Sequence, residues 1–360
     1  RDSSTSRGLG DVYKRQTKMS VALLTLLIAA GCSENDQINL PEAPVNAVPI
    51  NLGQQVNAVS RAVAADGVNV SATLLMCDGS GDEVDWSKFV KVEKNVIDQS
   101  NQLTSRASIS AASFTVAATP ANDISLNQLL YYSLSDGVKS FIAAVSPAGK
   151  VADSGASVNF NQEDGTQDVM WASTVSVGSA KDEKNADGTA KYNLAFTHKT
   201  TQLNFAVALT RVQGGGEWQN KKVALKSIAV QKASVPQAIN VANGDITWST
   251  PVTFKVPGIS EAAIAATATE VGESFMINPY TEVILDVVIT VDGAEKIFNN
   301  VRVTTDGDGG AKVDLAREEG KSHKITLTIQ EPANADTAVT IKTTATVKPW
   351  VQGASGSADL

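Results

Sequence analysis

Cysteine, histidine and aromatic residues are all scarce in this chain, and each shortage removes a class of function. Two cysteines, Cys32 and Cys77, cannot build the multi-bridge framework of a small secreted domain. Two histidines, His198 and His323, leave no H-E-x-x-H motif, and G-x-S-x-G and phosphate-cradling glycine loops are missing as well. Basic residues are in deficit, with 30 Lys and Arg against 38 Asp and Glu and a formal net charge of -8. Without a basic stripe the chain has no means of releasing counterions from a phosphate backbone, so nucleic acid is not an expected partner. No catalytic residue, metal-ligand set or cofactor is assigned. Aromatics amount to 5% of the chain while Val, Ala and Thr recur, a mixture suited to short, modestly packed strands.

Apolar runs are short too. The longest, within Met19–Gly31 (MSVALLTLLIAAG), is far below the roughly 20 residues of a membrane-spanning helix. It follows Lys14, Arg15 and Lys18 and ends in small residues before Cys32, the layout of a cleaved signal peptide. Ala29-Ala30-Gly31-Cys32 resembles a bacterial lipobox, although Leu is usual where Ala29 stands. That resemblance makes Cys32 the lipidated first residue of the mature chain. The chain is therefore divided into a non-native or untranslated leader (1–18), a lipoprotein signal peptide (19–31) and a tether (32–47). With Cys32 acylated, Cys77 has no intramolecular partner and reads as a small buried hydrophobe.

Strand signals dominate the rest. Leu203, Phe205, Val207 and Leu209 alternate with Asn204, Ala206 and Ala208, and Ile325, Leu327 and Ile329 alternate with Thr326 and Thr328, the period of half-buried strands. Further strands are expected over 48–59, 111–118, 138–145 and 169–177. Val283 to Val291 is apolar enough to be covered on both faces. Asp292-Gly293 after it marks a hairpin into Lys296–Val303, because both turn positions tolerate positive φ. Short helical turns are expected at 260–268 and 125–132. With no strand–helix alternation, the sheet is expected to be antiparallel rather than doubly wound. The polar segment 179–191 marks a boundary between an N-terminal β domain (48–192) and a C-terminal one (193–360). In the last strand Val339, Ile341, Thr343, Ala345 and Val347 share one face, and Pro349-Trp350 closes it. Such a strand can complete its own sheet or be donated to a neighbour's sheet edge.

Several short motifs in order resemble the Bacteroidales fimbrillin family, the type V pilins and Mfa-like lipoproteins. Leu194-Ala195-Phe196-Thr197-His198 leading to Leu203-Asn204-Phe205 is similar to an L-x-F-x-H…L-x-F signature. Asp168-Val169-Met170-Trp171-Ala172 is similar to a D-L-M-x-A element, and Val223–Val230 to an L-x-S-I-x-V strand. Ser322–Ile329 and Ala345–Trp350 are similar to the family's closing strand pair. The resemblance implies an all-β fold of two transthyretin-like antiparallel β-sandwich domains in tandem. It also implies export to the cell outer membrane as a surface-exposed lipoprotein, and assembly into a fimbrium by strand exchange.

In stalk subunits of that family an arginine-directed protease removes the first strand. Arg61, followed by Ala62, is the only Lys or Arg between Lys18 and Lys88 and suits that cut; a solvated loop arginine is the plainer reading. The strand-exchange residues would be Val339, Ile341, Thr343, Ala345, Val347 and Trp350. Expected partners are other fimbrial subunits, the outer membrane through the lipid anchor, and a host or bacterial surface receptor. The alternative is a monomeric glycan-binding or adhesive lipoprotein, or an uncleaved pilus anchor, with Trp86 or Trp218 offered to sugars. Acidic turns at Asp78/Asp82/Glu83/Asp85, Asp182/Glu183/Asp187 and Asp306/Asp308 lack EF-hand spacing and read as ordinary hairpin tips.

Overall fold

A computed structural model describes residues 44–56, 67–121, 124–180, 192–306 and 312–349. Alternating and β-branched segments become strands throughout, and the one helical element among the described residues is a 3-10 turn, Trp86–Lys88. No helix of the described residues is long and apolar enough to cross a membrane.

The N-terminal half is built on a seven-stranded sheet. Its spatial order is Leu52–Val56, Tyr192–His198, Met170–Gly178, Lys139–Ser146, Asn69–Gly79, Ile109–Thr115 and Ser125–Leu126. All neighbours are antiparallel except Leu52–Val56, which runs parallel to Tyr192–His198. Because side chains alternate across a strand, each face has its own core. Leu74, Met76, Phe114, Ile142, Met170, Leu194 and Phe196 fill one. Leu75, Cys77, Ala143 and Val145 meet Trp86, Phe89, Val158 and Ile239 on the other.

The C-terminal half is a sandwich. One sheet orders Thr269–Ile277, Thr201–Thr210, Lys321–Gln330 and Thr340–Pro349. The other orders Val252–Lys255, Val223–Ala233, Ile284–Val291 and Ala294–Arg302, with Ala262–Ala263 also on Val223–Ala233. Leu203, Phe205, Ile325, Leu327 and Ile329 of the first sheet share a core with Leu225, Ile228, Leu285, Val287 and Ile289 of the second. The hairpin at Asp292-Gly293 forms as expected, with φ of 47° and 84° at the two positions. Ile284–Val291 is covered on both faces along most of its length.

The structure departs from the sequence reading in particular places. The turns expected at 260–268 and 125–132 are not helical: Ala262–Ala263 and Ser125–Leu126 pair as short strands with Ala224–Leu225 and Ala112–Ser113. Alanine favours helix by only tenths of a kcal/mol, and a neighbouring strand edge with an anchoring Ile264 outweighs that. Thr201–Thr210 is buried on both faces, including Ala206 and Ala208, because it is a central strand rather than a half-exposed one.

The division placed at 192/193 stands at the head of Tyr192–His198, a strand that completes the N-terminal sheet. The halves are also stitched by a small sheet in which Ser157–Asn159 pairs with Pro236–Asn240. The boundary segment proper, 181–191, lies outside the described residues.

Candidate assembly site

The first strand is a tightly held insert. Ile50, Leu52, Gln54 and Val56 are all buried, at every second position. Leu52 pairs with Tyr192, Gln54 with Leu194 and Val56 with Phe196 along one edge. Along the other, Gln54 exchanges both backbone hydrogen bonds with Ala121, each of 2.8 Å, and Val56 N–H donates to the Ala117 carbonyl. Ile50 N–H donates to the Leu130 carbonyl at 2.9 Å, and the Gln54 side-chain amide to the Thr115 carbonyl at 2.7 Å. Beneath it lie Leu194, Leu130 and the stacked pair Phe114–Phe196, whose centroids are 5.0 Å apart. The strand thus fills a slot whose walls are donors and acceptors and whose floor is apolar.

The terminal strand is held differently. Thr340–Pro349 pairs with Lys321–Gln330 in an unbroken antiparallel ladder from Thr340↔Gln330 to Pro349↔Lys321. Val339, Ile341, Thr343 and Ala345 turn half-buried towards the core while Thr340, Lys342, Thr344 and Thr346 face solvent, the alternation read from the sequence. Val347 lies opposite His323 in the ladder. Among the described residues its outer edge has no strand partner in the ladder; Thr304–Asp306 lies against it, where the Thr343 hydroxyl donates to the Arg302 carbonyl at 3.1 Å and accepts from Thr304 N–H at 3.3 Å. Trp350, Cys32, Arg61 and Ala62 lie outside the described residues.

The two histidines sit in contrasting settings. His198 Nδ1 donates to Asp168 Oδ2 at 2.8 Å, both side chains buried. Met170↔His198 and Ala172↔Phe196 are paired residues, so the D-L-M-x-A and L-x-F-x-H motifs form one structural unit. Sequence distance hides this contact, which only the antiparallel pairing of the two strands creates. His323 is fully buried, and its ring nitrogens have no hydrogen-bond partner among the described residues. Burial first, then the charges of Lys321 and Arg317, push its pKa down to about 4.

Other expectations are settled by contacts. Trp86 and Trp218 are buried, so neither offers a sugar-stacking face. The Trp86 indole N–H donates to Thr174 Oγ1 at 3.0 Å, and Trp218 belongs to the C-terminal core. Isolated tryptophans between polar neighbours carry no sequence sign of the cavity that takes them. The first acidic turn is dispersed: Asp78 meets Arg106 and Ser140, Asp82 meets Lys139, and Asp85 caps Trp86–Lys88 through Ser87. Groups of three or more potential metal-ligating side chains are absent among the described residues. Cys77 is a buried free thiol whose pKa is raised, by burial first and then by Asp78 and Asp85. The sequence reading also passed over Glu331, a buried carboxylate that accepts from Val212 N–H at 2.8 Å and Trp218 N–H at 2.7 Å and so anchors the Gly214-Gly215-Gly216 loop.

The two strands thus differ in their edges: the first is bonded along both, the terminal one is strand-paired along one. Residues 82–350 match the model of the Fimbrillin-like family, and the chain belongs to that family. No curated protein matches it. Among solved structures it is similar to a cell adhesion protein from Bacteroides uniformis, at 16% identity over 85% of this chain and 100% of that one, with a TM-score of 0.44. A fimbrial protein from Bacteroides vulgatus gives 12% identity, 84% and 99% coverage and a TM-score of 0.45. A fimbrilin from Porphyromonas gingivalis gives 12%, 85% and 99%, and 0.43. The assignment rests on the family model.

Proposed function

We propose that this chain is a structural subunit of a cell-surface fimbria, exported to the outer membrane as a lipoprotein acylated at Cys32. Cleavage after Arg61 would release the segment that carries Leu52–Val56, and the terminal strand of a neighbouring subunit would enter the vacated slot. The observation that carries this reading is the first strand itself. It pairs by backbone hydrogen bonds on both edges and buries one alternating row of side chains, which any strand of matching alternation can reproduce. Val339, Ile341, Thr343, Ala345 and Val347 offer such a row. Two transthyretin-like sandwiches in tandem belong to the same proposal, supported by the separate cores of the two halves.

Intact mass measurement on surface-exposed protein tests it. The proposal expects a mature N-terminus at Ala62 and an Arg61→Ala variant that stays as the acylated precursor and forms no filaments. An N-terminus at Cys32 in every surface form contradicts it. One observation favours the second reading, an uncleaved anchor or a stand-alone adhesive lipoprotein: the terminal strand is fully laddered within its own sheet. In that case the wild-type and Arg61→Ala chains behave alike.

A further inference from the structure

Several apolar side chains of the N-terminal half are left in water; besides Val68 and Val90, six fall on segments joined by hydrogen bonds. Val45 is 70% exposed, Val96 52%, Ile97 44%, Leu129 42%, and Val48 and Leu134 are also exposed. They come from three segments that hydrogen bonds hold together. Val45 N–H donates to the Asn101 carbonyl at 3.0 Å, and Asn46 brackets Leu103 with a donor and an acceptor at 3.1 and 2.7 Å. The Asn95 side-chain amide donates to the Leu129 carbonyl at 2.8 Å, and Tyr132 N–H to the Val48 carbonyl at 3.1 Å. Val96–Ile97 and Leu103–Ser105 form a two-stranded hairpin that carries the middle of the patch. Isolated exposed aliphatics need no explanation, but six on one bonded unit mark an interaction surface.

What covers it is indicated by where the chain enters. The patch begins at Val45, while Cys32 stands thirteen positions earlier in the sequence. A fully extended tether of that length spans about 40 Å, so an acylated Cys32 keeps this end of the body close to the bilayer. The row is aliphatic, and each such side chain gains about 1.5–3 kcal/mol when fully removed from water. We infer that, in the uncleaved chain, the surface formed by Val45, Val48, Val96, Ile97, Leu129 and Leu134 seats against the lipid surface to which the chain is anchored. This rests on the lipidation part of the proposed function. Loss of the segment before Arg61 removes Val45, Val48 and the anchor together, so maturation would free the body from the membrane in one step.

The test uses the full acylated chain reconstituted in phosphatidylethanolamine–phosphatidylglycerol vesicles. One nitroxide label is placed at Val96→Cys and another at Lys342→Cys, both solvent-facing in the free protein. The inference expects the label at position 96 to lose collisions with a water-soluble nickel chelate and gain them with oxygen on vesicles, while the label at 342 is unchanged. If the protein floats with the vesicles but both labels stay accessible to nickel, the seating is wrong and the anchor stands. If it does not float, the anchor reading fails and the seating with it. If position 96 becomes protected without vesicles as protein concentration rises, a second copy covers the patch and the lipid assignment is overturned.

Discussion

The first strand and the terminal strand are both at sheet edges, yet they are held in opposite ways. Leu52–Val56 is short, buried and bonded along both of its edges. Thr340–Pro349 is twice as long, half-exposed, and strand-paired along one edge. A strand gripped on two sides would leave a slot lined on both edges when it goes; a strand paired on one side only, with Val339, Ile341 and Ala345 packed on the core, would uncover that apolar row instead. Under the proposed function, this difference would make the N-terminal half the acceptor and the C-terminal tail the donor.

The comparison is broken most severely by a core truncation under the first strand. Leu52→Ala should cost about 2–5 kcal/mol in urea unfolding of the precursor, as for a buried leucine. Thr344→Ala, on the outer face of the terminal strand, should stay within about 0.5 kcal/mol. Equal effects would mean that the two strands are not held differently.

Next in size is a pH effect in the ladder that holds the tail. His323, opposite Val347, titrates near 4 when folded against an ordinary value of 6.5. A depressed histidine pKa means that the unfolded chain binds the extra proton first. The contribution is therefore complete above pH 6.5 and is lost as pH falls towards 4, a change of about 3 kcal/mol. Unfolding free energy measured between pH 7 and 4 should drop by that amount in wild type, and His323→Leu should flatten this part of the profile.

Asp168→Asn comes third. It weakens a buried charge-assisted bond to His198 and should cost about 1.5–3 kcal/mol, read from the same urea transitions. A smaller effect than these is expected from Lys324→Ala, which removes an exposed pair with Glu270 on the outer face of the C-terminal sheet and should change stability by less than about 1 kcal/mol.

Much of the fold was legible because it rests on local alternation. Leu203 to Leu209, Ile325 to Ile329, Val339 to Ala345 and the Asp292-Gly293 turn were read from side-chain period and turn chemistry, and those are properties of neighbouring residues. Orientation and partner were not legible. Nothing in Leu52–Val56 says that it runs parallel to Tyr192–His198, since alternation is the same in either direction. Asp168 and His198 are thirty residues apart, and only the strand pairing brings them together. The alanines near 262 obey their intrinsic preference only until an edge of Val223–Ala233 competes for them.

The candidate site divides in the same way. The inward row of the tail was visible as a pattern, whereas the slot that would receive it is assembled from Leu130, Phe114, Leu194 and Phe196 in three separate segments. Leu194 and Phe196 share Tyr192–His198, and the slot appears only in three dimensions.

The most direct measurement is electron microscopy of the full chain after limited digestion with an arginine-specific protease, with the new N-terminus verified by mass. The account predicts a cut between Arg61 and Ala62, loss of the segment bearing Leu52–Val56, and filaments. A clean cut at that bond that leaves only monomers, with the terminal strand still laddered to Lys321–Gln330, would contradict it.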